Sequence, residues 1–460
     1  MKGTVNIHIA KIWFIPAAFM MLLLGSCRND SDDRNLEARK VTLHPAIGRN
    51  VENVIRTRSV NVEEHWTDQD DVQHSISSTY PDLEVNGTSM RVYAVPANPE
   101  LEASDRTSYQ APGSFRYSNN TWHSSVSATA SQQYYLYAFS PINLPGATNQ
   151  SFNWGVTNDT FNPDNVVLTF TGLDIISPSD LLVSIAARGK HVVKESGELK
   201  EVVTEKIDDE HPAVTQPLVE PTLVKGDYYI GNVYATNQQS DDDTYRVWMA
   251  MDHLYAKATI SFAIDLEYNN LRTIRVKEMH ITTKYNGVAQ PSHLDGTHSY
   301  KFKQGADFRA GGCLTLNGSQ GFSATDVTPI DLMVDNYDPI DPDHPTAGHY
   351  DYATLKVPVS AEQYWEFGSF YFLPQTSLPT GLTLPPIYLD VKYDVYSKEG
   401  TKVRADQHAI NALSLNSVYR DDFTDHTPAA GDNVRIKVMV KPTYLYQLSD
   451  DDVRFELTIE

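Results

Sequence analysis

The chain has 460 residues, 41% of them apolar, with 59 acidic side chains against 37 basic ones and a formal charge of −22. At about 150 residues per domain, that length suggests two or three domains, and 6 Trp, 26 Tyr and 16 Phe can fill their cores. The acidic surplus argues against a nucleic-acid partner, which needs Lys and Arg to meet phosphate, and two cysteines exclude a disulfide framework.

The N-terminus reads as an address. Lys2 and Lys11 give a basic start, no acidic residue precedes Asp30, and an apolar run covers Ile12–Leu24. The run is shorter than the roughly 20 residues a helix needs to cross about 30 Å of hydrocarbon, and it suits a secretory signal. It ends in Leu24-Gly25-Ser26-Cys27, the order of a bacterial lipobox. Cys27 is therefore the candidate lipidation site: its thiol accepts a diacylglyceryl group, the small residues before it admit the peptidase, and its new amine is then acylated. The plain alternative is an ordinary signal whose cleavage site abuts a cysteine. Several acyl chains hold firmly to a bilayer where one is marginal. The expected order is a lipoprotein signal peptide over 1–26, then an acidic tether over 27–40 that begins Arg28-Asn29-Asp30-Ser31-Asp32-Asp33. Removing the signal deletes Lys2 and Lys11 and no acid, which moves the charge from −22 to −24.

Beyond the tether the dominant period is two, the mark of half-buried antiparallel strands. Candidate strands cover 90–95, 134–139, 166–170 and 181–186. A long exposed hairpin is predicted over Lys190–Ile207, turning near Ser196-Gly197-Glu198. The polar run Thr236–Thr244, with Asp241-Asp242-Asp243, is the best boundary, giving an N-terminal domain over 41–244 and a C-terminal one over 245–460. Over 258–266, Ala258, Ile260, Phe262, Ile264 and Leu266 share one side. Strands at 274–282 and 355–359 follow. Ile387, Leu389, Val391, Tyr393 and Val395 then alternate with Tyr388, Asp390, Lys392 and Asp394. The last two strands are 434–441 and 453–459. Pro and Gly segments such as Pro141–Gly146 and Thr376–Pro386 separate these runs. The fold class is all-β, two sandwiches in preference to one giant sheet.

Chemistry is scarce. The 15 histidines make no His-Glu-x-x-His, and there is no Gly-x-Ser-x-Gly, no phosphate-binding Gly-rich loop and no Cys-x-x-Cys. Asp335-Asn336-Tyr337-Asp338-Pro339-Ile340-Asp341-Pro342-Asp343 alternates oxygen donors that suit Ca²⁺. It has Ile340 where an EF-hand loop needs glycine and Thr346 where it needs a bidentate glutamate, so a solvated acidic loop is the plainer reading. Cys313, beside Gly311-Gly312, reads as a small packing residue. No catalytic residues, metal or cofactor are expected.

The order of several stretches resembles the Bacteroidales-type fimbrillins, subunits of pili built from lipoprotein precursors. They are the lipobox, the early strand Val41-Thr42-Leu43-His44, Thr57-Arg58, and Trp122 before Tyr134-Tyr135-Leu136-Tyr137-Ala138-Phe139-Ser140-Pro141. Asp180-Leu181-Leu182-Val183-Ser184, Met251-Asp252-His253-Leu254-Tyr255-Ala256-Lys257 and Phe372-Leu373-Pro374-Gln375 complete the set. The resemblance implies transthyretin-like, Greek-key β-sandwich domains. It also implies a surface lipoprotein whose first strand is removed by an Arg-specific protease and replaced by a strand from another subunit. The acidic tether resembles the export tag of such lipoproteins. Candidate processing sites are Arg56 and Arg58, with Arg49 third, and the donor is expected in 434–441 and 453–459. Asp252 before His253, and Tyr255 where a smaller residue is usual, depart from the family, and His253 is read as a packing residue.

The resulting expectation is a non-enzymatic pilus subunit, anchored in the outer membrane at the cell surface before processing. Its partners are other pilus subunits and, for adhesion, a host or bacterial surface ligand, with no nucleic acid. The alternative is an outer-membrane glycan-binding lipoprotein of a nutrient-uptake system, its exposed aromatics serving as sugar platforms.

Overall fold

The computed structural model describes residues 40–47, 62–67, 73–78, 83–332, 353–354, 365–441 and 456–459, with short breaks at 84, 98–111, 130–131, 158–159, 234–242, 265, 303–312, 319, 414, 417 and 420–424. The described chain is nearly all β, with the short α-helix Leu266–Leu271. The expected strands appear, most with longer bounds: Ser89–Pro96, Gln132–Ser140, Thr160–Asp174, Leu182–Glu195, Ala256–Ile264, Arg272–Thr282, Ile387–Ser397 and Asp432–Lys441. Two bounds differ: the strand expected over 181–186 begins at Leu182, and the one expected over 258–266 ends at Ile264, because Leu266 opens the short helix and is exposed instead of sharing the buried side. The hairpin turns at Ser196-Gly197 into Glu198–Thr204, as the sequence predicts. Residues 355–359 lie outside the described ones.

Two sheets enclose each of two cores. In the first pair, a large sheet runs through Ser89–Pro96, Gln132–Ser140, Leu182–Glu195 and Asp243–His253. It faces a smaller sheet of Thr148–Thr157, Thr160–Asp174 and Pro291–Lys301. Between them pack Tyr137, Phe139, Phe170, Trp248 and Tyr300, with Cys313 buried in the same core as a small side chain. In the second pair, Ala256–Ile264, Trp365–Phe372 and Asp432–Lys441 face Arg272–Thr282, Ile387–Ser397 and Lys402–Leu413. Here the period-two pattern holds: Ile260, Phe262, Leu389, Val391, Val434 and Ile436 meet in one core. Asp394 is an exception on the outer side. It is buried, accepts from the Asp406 backbone N–H at 2.7 Å and faces Lys402 Nζ at 3.0 Å, so this carboxylate is compensated rather than solvated.

The large sheet departs from the pattern of one dry and one wet face. Tyr245, Val247, Met249 and Met251 point into a third core with Met90, Val92, Leu136 and Phe115. Trp248 and Ala250, on the opposite side of the same strand, belong to the core between the two layers. A strand buried on both faces needs apolar residues in succession, not in alternation, as in Val247-Trp248-Met249-Ala250-Met251.

Not every buried group in the first core is satisfied. Among the described residues the Tyr137 and Tyr300 hydroxyls have no hydrogen-bond partner, and burial pushes both phenols well above their ordinary range. A buried polar group without a partner costs roughly 1–3 kcal/mol. Tyr300→Phe is therefore expected to raise stability by about 1 kcal/mol, seen as a higher denaturation midpoint at unchanged slope.

The chain passes between the two pairs of sheets repeatedly. The hairpin Val62–Thr67 and Gln73–Ser78 pairs through Ile76–Ser78 with Val434–Asp432 of the second. Ile176–Ser177 pairs with Tyr371–Phe372, and Pro291–Lys301 returns to complete the first. A cut at 244/245 falls inside the strand Asp243–His253. At the passage, His253 does more than pack: its Nδ1 lies 2.5 Å from Asp180 Oδ2. Burial pushes the Asp180 carboxyl up, against the opposing pull of that imidazole.

Candidate functional site

The first described strand, Lys40–Ile47, has the most distinctive placing in the fold. Leu43–Ile47 run parallel to Tyr245–Met249, residue for residue in register. Lys40–Thr42 pair antiparallel with Thr129–Ser127 on the other side. The strand thus fills a slot between Asp243–His253 and Ser127–Thr129. Asp243–His253 keeps an antiparallel neighbour, Leu182–Val193, on its far side. Among the described residues Ser127–Thr129 pairs with Lys40–Thr42 alone.

The slot wall comes from residues the sequence reading passed over. Tyr245, Val247 and Met249 are buried in the third core and stand in register with Leu43, Pro45 and Ile47. Tyr245 is fixed from behind, its hydroxyl donating to the Ile230 carbonyl at 2.8 Å. The uninterrupted apolar stretch Val247–Met251 was the available signal, because a strand wet on one face would not carry it. Parallel pairing is slightly weaker per residue than antiparallel pairing, so Lys40–Ile47 is held less firmly on that side than Leu182–Glu195 is.

After Ile47 the chain next appears at Val62, paired into the other large sheet. Arg49, Arg56 and Arg58 all fall in the connection between these two strands. They lie outside the described residues, as do Cys27 and the acidic 335–343 segment. Among the described residues no helix is long and apolar enough to cross a membrane, and no group of three or more His, Cys, Asp or Glu could hold a metal.

The C-terminal strands differ in how deeply they are built in. Asp432–Lys441 is central: it runs parallel to Ala256–Ile264, and Val434, Ile436 and Val438 are buried in the second core. Glu456–Ile459 adds only four registered pairs, antiparallel to Lys441–Val438.

No protein-family profile matches the chain, and no curated protein matches it. Among solved structures it is similar to a fimbrial protein from Bacteroides vulgatus, at 9% identity and TM-score 0.34, covering 92% of this chain and 98% of that one. It is also similar to a protein from Bacteroides fragilis provisionally assigned to cell adhesion, at 10% identity and TM-score 0.33, covering 92% and 98%. A Bacteroides thetaiotaomicron structure provisionally assigned to polysaccharide binding shares 9% identity at TM-score 0.22, covering 79% and 86%. Likeness this slight carries no argument about what the chain does.

Proposed function

We propose that this chain is a subunit of a cell-surface pilus, lipid-anchored at Cys27 before processing, that assembles by exchange of β-strands and serves adhesion without catalysis. The observation that supports this best is the placing of Lys40–Ile47, a strand slotted beside Tyr245–Met249 and joined to the next described strand through a connection holding Arg49, Arg56 and Arg58. Cutting at any of the three frees the strand from the rest of the chain. Its loss would leave unpaired N–H and C=O groups beside an apolar wall, and a strand from another subunit satisfies both at once. Repeated head to tail, such a contact does not close and makes a filament. The donor is proposed in Glu456–Ile459, since withdrawing Asp432–Lys441 would empty the second core. A glycan-binding surface lipoprotein is the competing possibility.

The test begins with an Arg-specific protease acting on the purified protein. The expected products start at residue 50, 57 or 59, and denaturant-resistant ladders follow. Arg56→Ala combined with Arg58→Ala and Arg49→Ala is expected to abolish both. A protein that remains whole and monomeric under these conditions, yet binds polysaccharide, overturns the proposal in favour of the glycan-binding alternative.

A further inference from the structure

A cleft of about 630 Å³ opens where the loop Pro141–Gly146 and the segment Asp174–Ser179 meet the segment Thr325–Asp331. Ligand sites for small molecules usually fall between about 300 and 1,000 Å³. Its apolar floor comes from Ile176 and Ile330, both buried, and proline rings at 141, 145, 178 and 329 form part of the wall. Polar groups line the rest: the Asp174 carboxylate, the His293 imidazole, the Asn143 amide and Asp326.

The polar groups are held in place before any ligand arrives. Asp174 Oδ1 lies 2.9 Å from His293 Nδ1. Asn143 Oδ1 accepts from the Arg91 guanidinium at 3.2 Å. Two glycines make room for the Asp174–His293 pair. A Cβ on Gly146 (φ +67) would stand 2.2 Å from Asp174 Oδ1, and one on Gly172 (φ +77) would stand 2.2 Å from His293 Nε2. Nothing in the strand slot uses this arrangement, and the cleft shares no residue with it.

The electrostatics narrow the ligand. Three carboxylates, those of Asp174, Asp326 and Asp331, make the cleft unfavourable to anions. Two of them are already engaged by bases, Asp174 by His293 and Asp326 by Lys284 Nζ at 2.5 Å, which weakens the pull on a cation. A carboxylate with one oxygen engaged still accepts from a hydroxyl through the other, and such charge-assisted bonds are the stronger kind. Hydroxyl-accepting groups around an aliphatic floor match a ring with polar edges and C–H faces. We propose that this cleft binds a neutral saccharide of one or two sugar units, independently of strand exchange.

The test is titration of the purified full chain with the methyl glycosides of glucose, galactose, mannose and N-acetylglucosamine, followed by saturation-transfer NMR and calorimetry. Glucuronic acid and lysine methyl ester serve as anionic and cationic probes. At least one neutral glycoside is expected to bind saturably, with Kd on the order of 1 mM, a weak affinity of about 4 kcal/mol. Asp326→Ala and Asn143→Ala, each removing a hydrogen-bonding group from the cleft lining, are each expected to weaken binding at least about tenfold at unchanged Tm, roughly 1.4 kcal/mol. Because both side chains are exposed, at least one variant should fold. Absence of neutral-glycoside binding, binding that neither folded variant weakens, or preference for either charged probe would each overturn the proposal. Ladder formation in the protease experiment is unaffected by either outcome, so the two readings fail separately.

Discussion

A chain shortened to begin at Val62 is expected to lose on the order of 5 kcal/mol of stability and to recover most of it when a peptide covering residues 38–49 is added. The magnitude follows from the eight registered positions that Lys40–Ile47 makes, five with Tyr245–Met249 and three with Thr129–Ser127. Each net backbone hydrogen bond contributes roughly 0.5–1.5 kcal/mol, and the exposed wall of Tyr245, Val247 and Met249 adds an apolar penalty. The measurement is a urea titration of the shortened chain with and without peptide. The midpoint should rise with peptide concentration, because a ligand of the native state stabilises it by mass action. A shortened chain as stable as its parent, indifferent to peptide, would mean the slot closes on itself. The strand would then be dispensable rather than exchangeable.

The second large effect separates the two faces of Asp243–His253. Trp248 is 1% exposed and fills the core between the two layers, while Met249, its neighbour in sequence, faces the third core. Trp248→Ala removes a large buried ring and is expected to cost about 3–5 kcal/mol, read as a lower denaturation midpoint in the intact protein. Its effect on peptide rescue should be small, because the strand register is unchanged. Met249→Asp places a charge where the slot wall is apolar and should abolish rescue, even in preparations that remain folded by circular dichroism. Equal loss of rescue in both variants would show that the slot has no separate wall.

How much of this was legible in the sequence depends on burial. In the second pair of sheets each strand presents one side to the core, so Ile387, Leu389, Val391, Tyr393 and Val395 announce themselves by alternation. The third core blurred that signal in the first pair. There the run from Tyr134 to Phe139 is apolar throughout because both faces are covered, and alternation cannot say which residue faces where. The turn at Ser196-Gly197 was readable because its residues take positive φ, at 53° and 87°, a conformation that favours glycine. Pairing partners were not readable. No local pattern links Ile176 to Phe372 or Leu168 to Tyr300, since register between distant strands is decided by the assembled sheet. The same limit hid the bond between His253 and Asp180, 73 positions apart, and the cleft formed by separated segments of the chain.

The repeated passage of the chain between its two pairs of sheets also bears on how such a protein can vary by descent. A recombination joint near residue 245 would give the first core a foreign Pro291–Lys301, and with it Leu294, Tyr300 and Phe302. A joint before residue 89 would exchange the hairpin that borders Val434 in the second sheet. Neither half can be traded as a cassette without breaking the packing of the other. Change should accumulate at exposed loops, while the residues of both cores are inherited together.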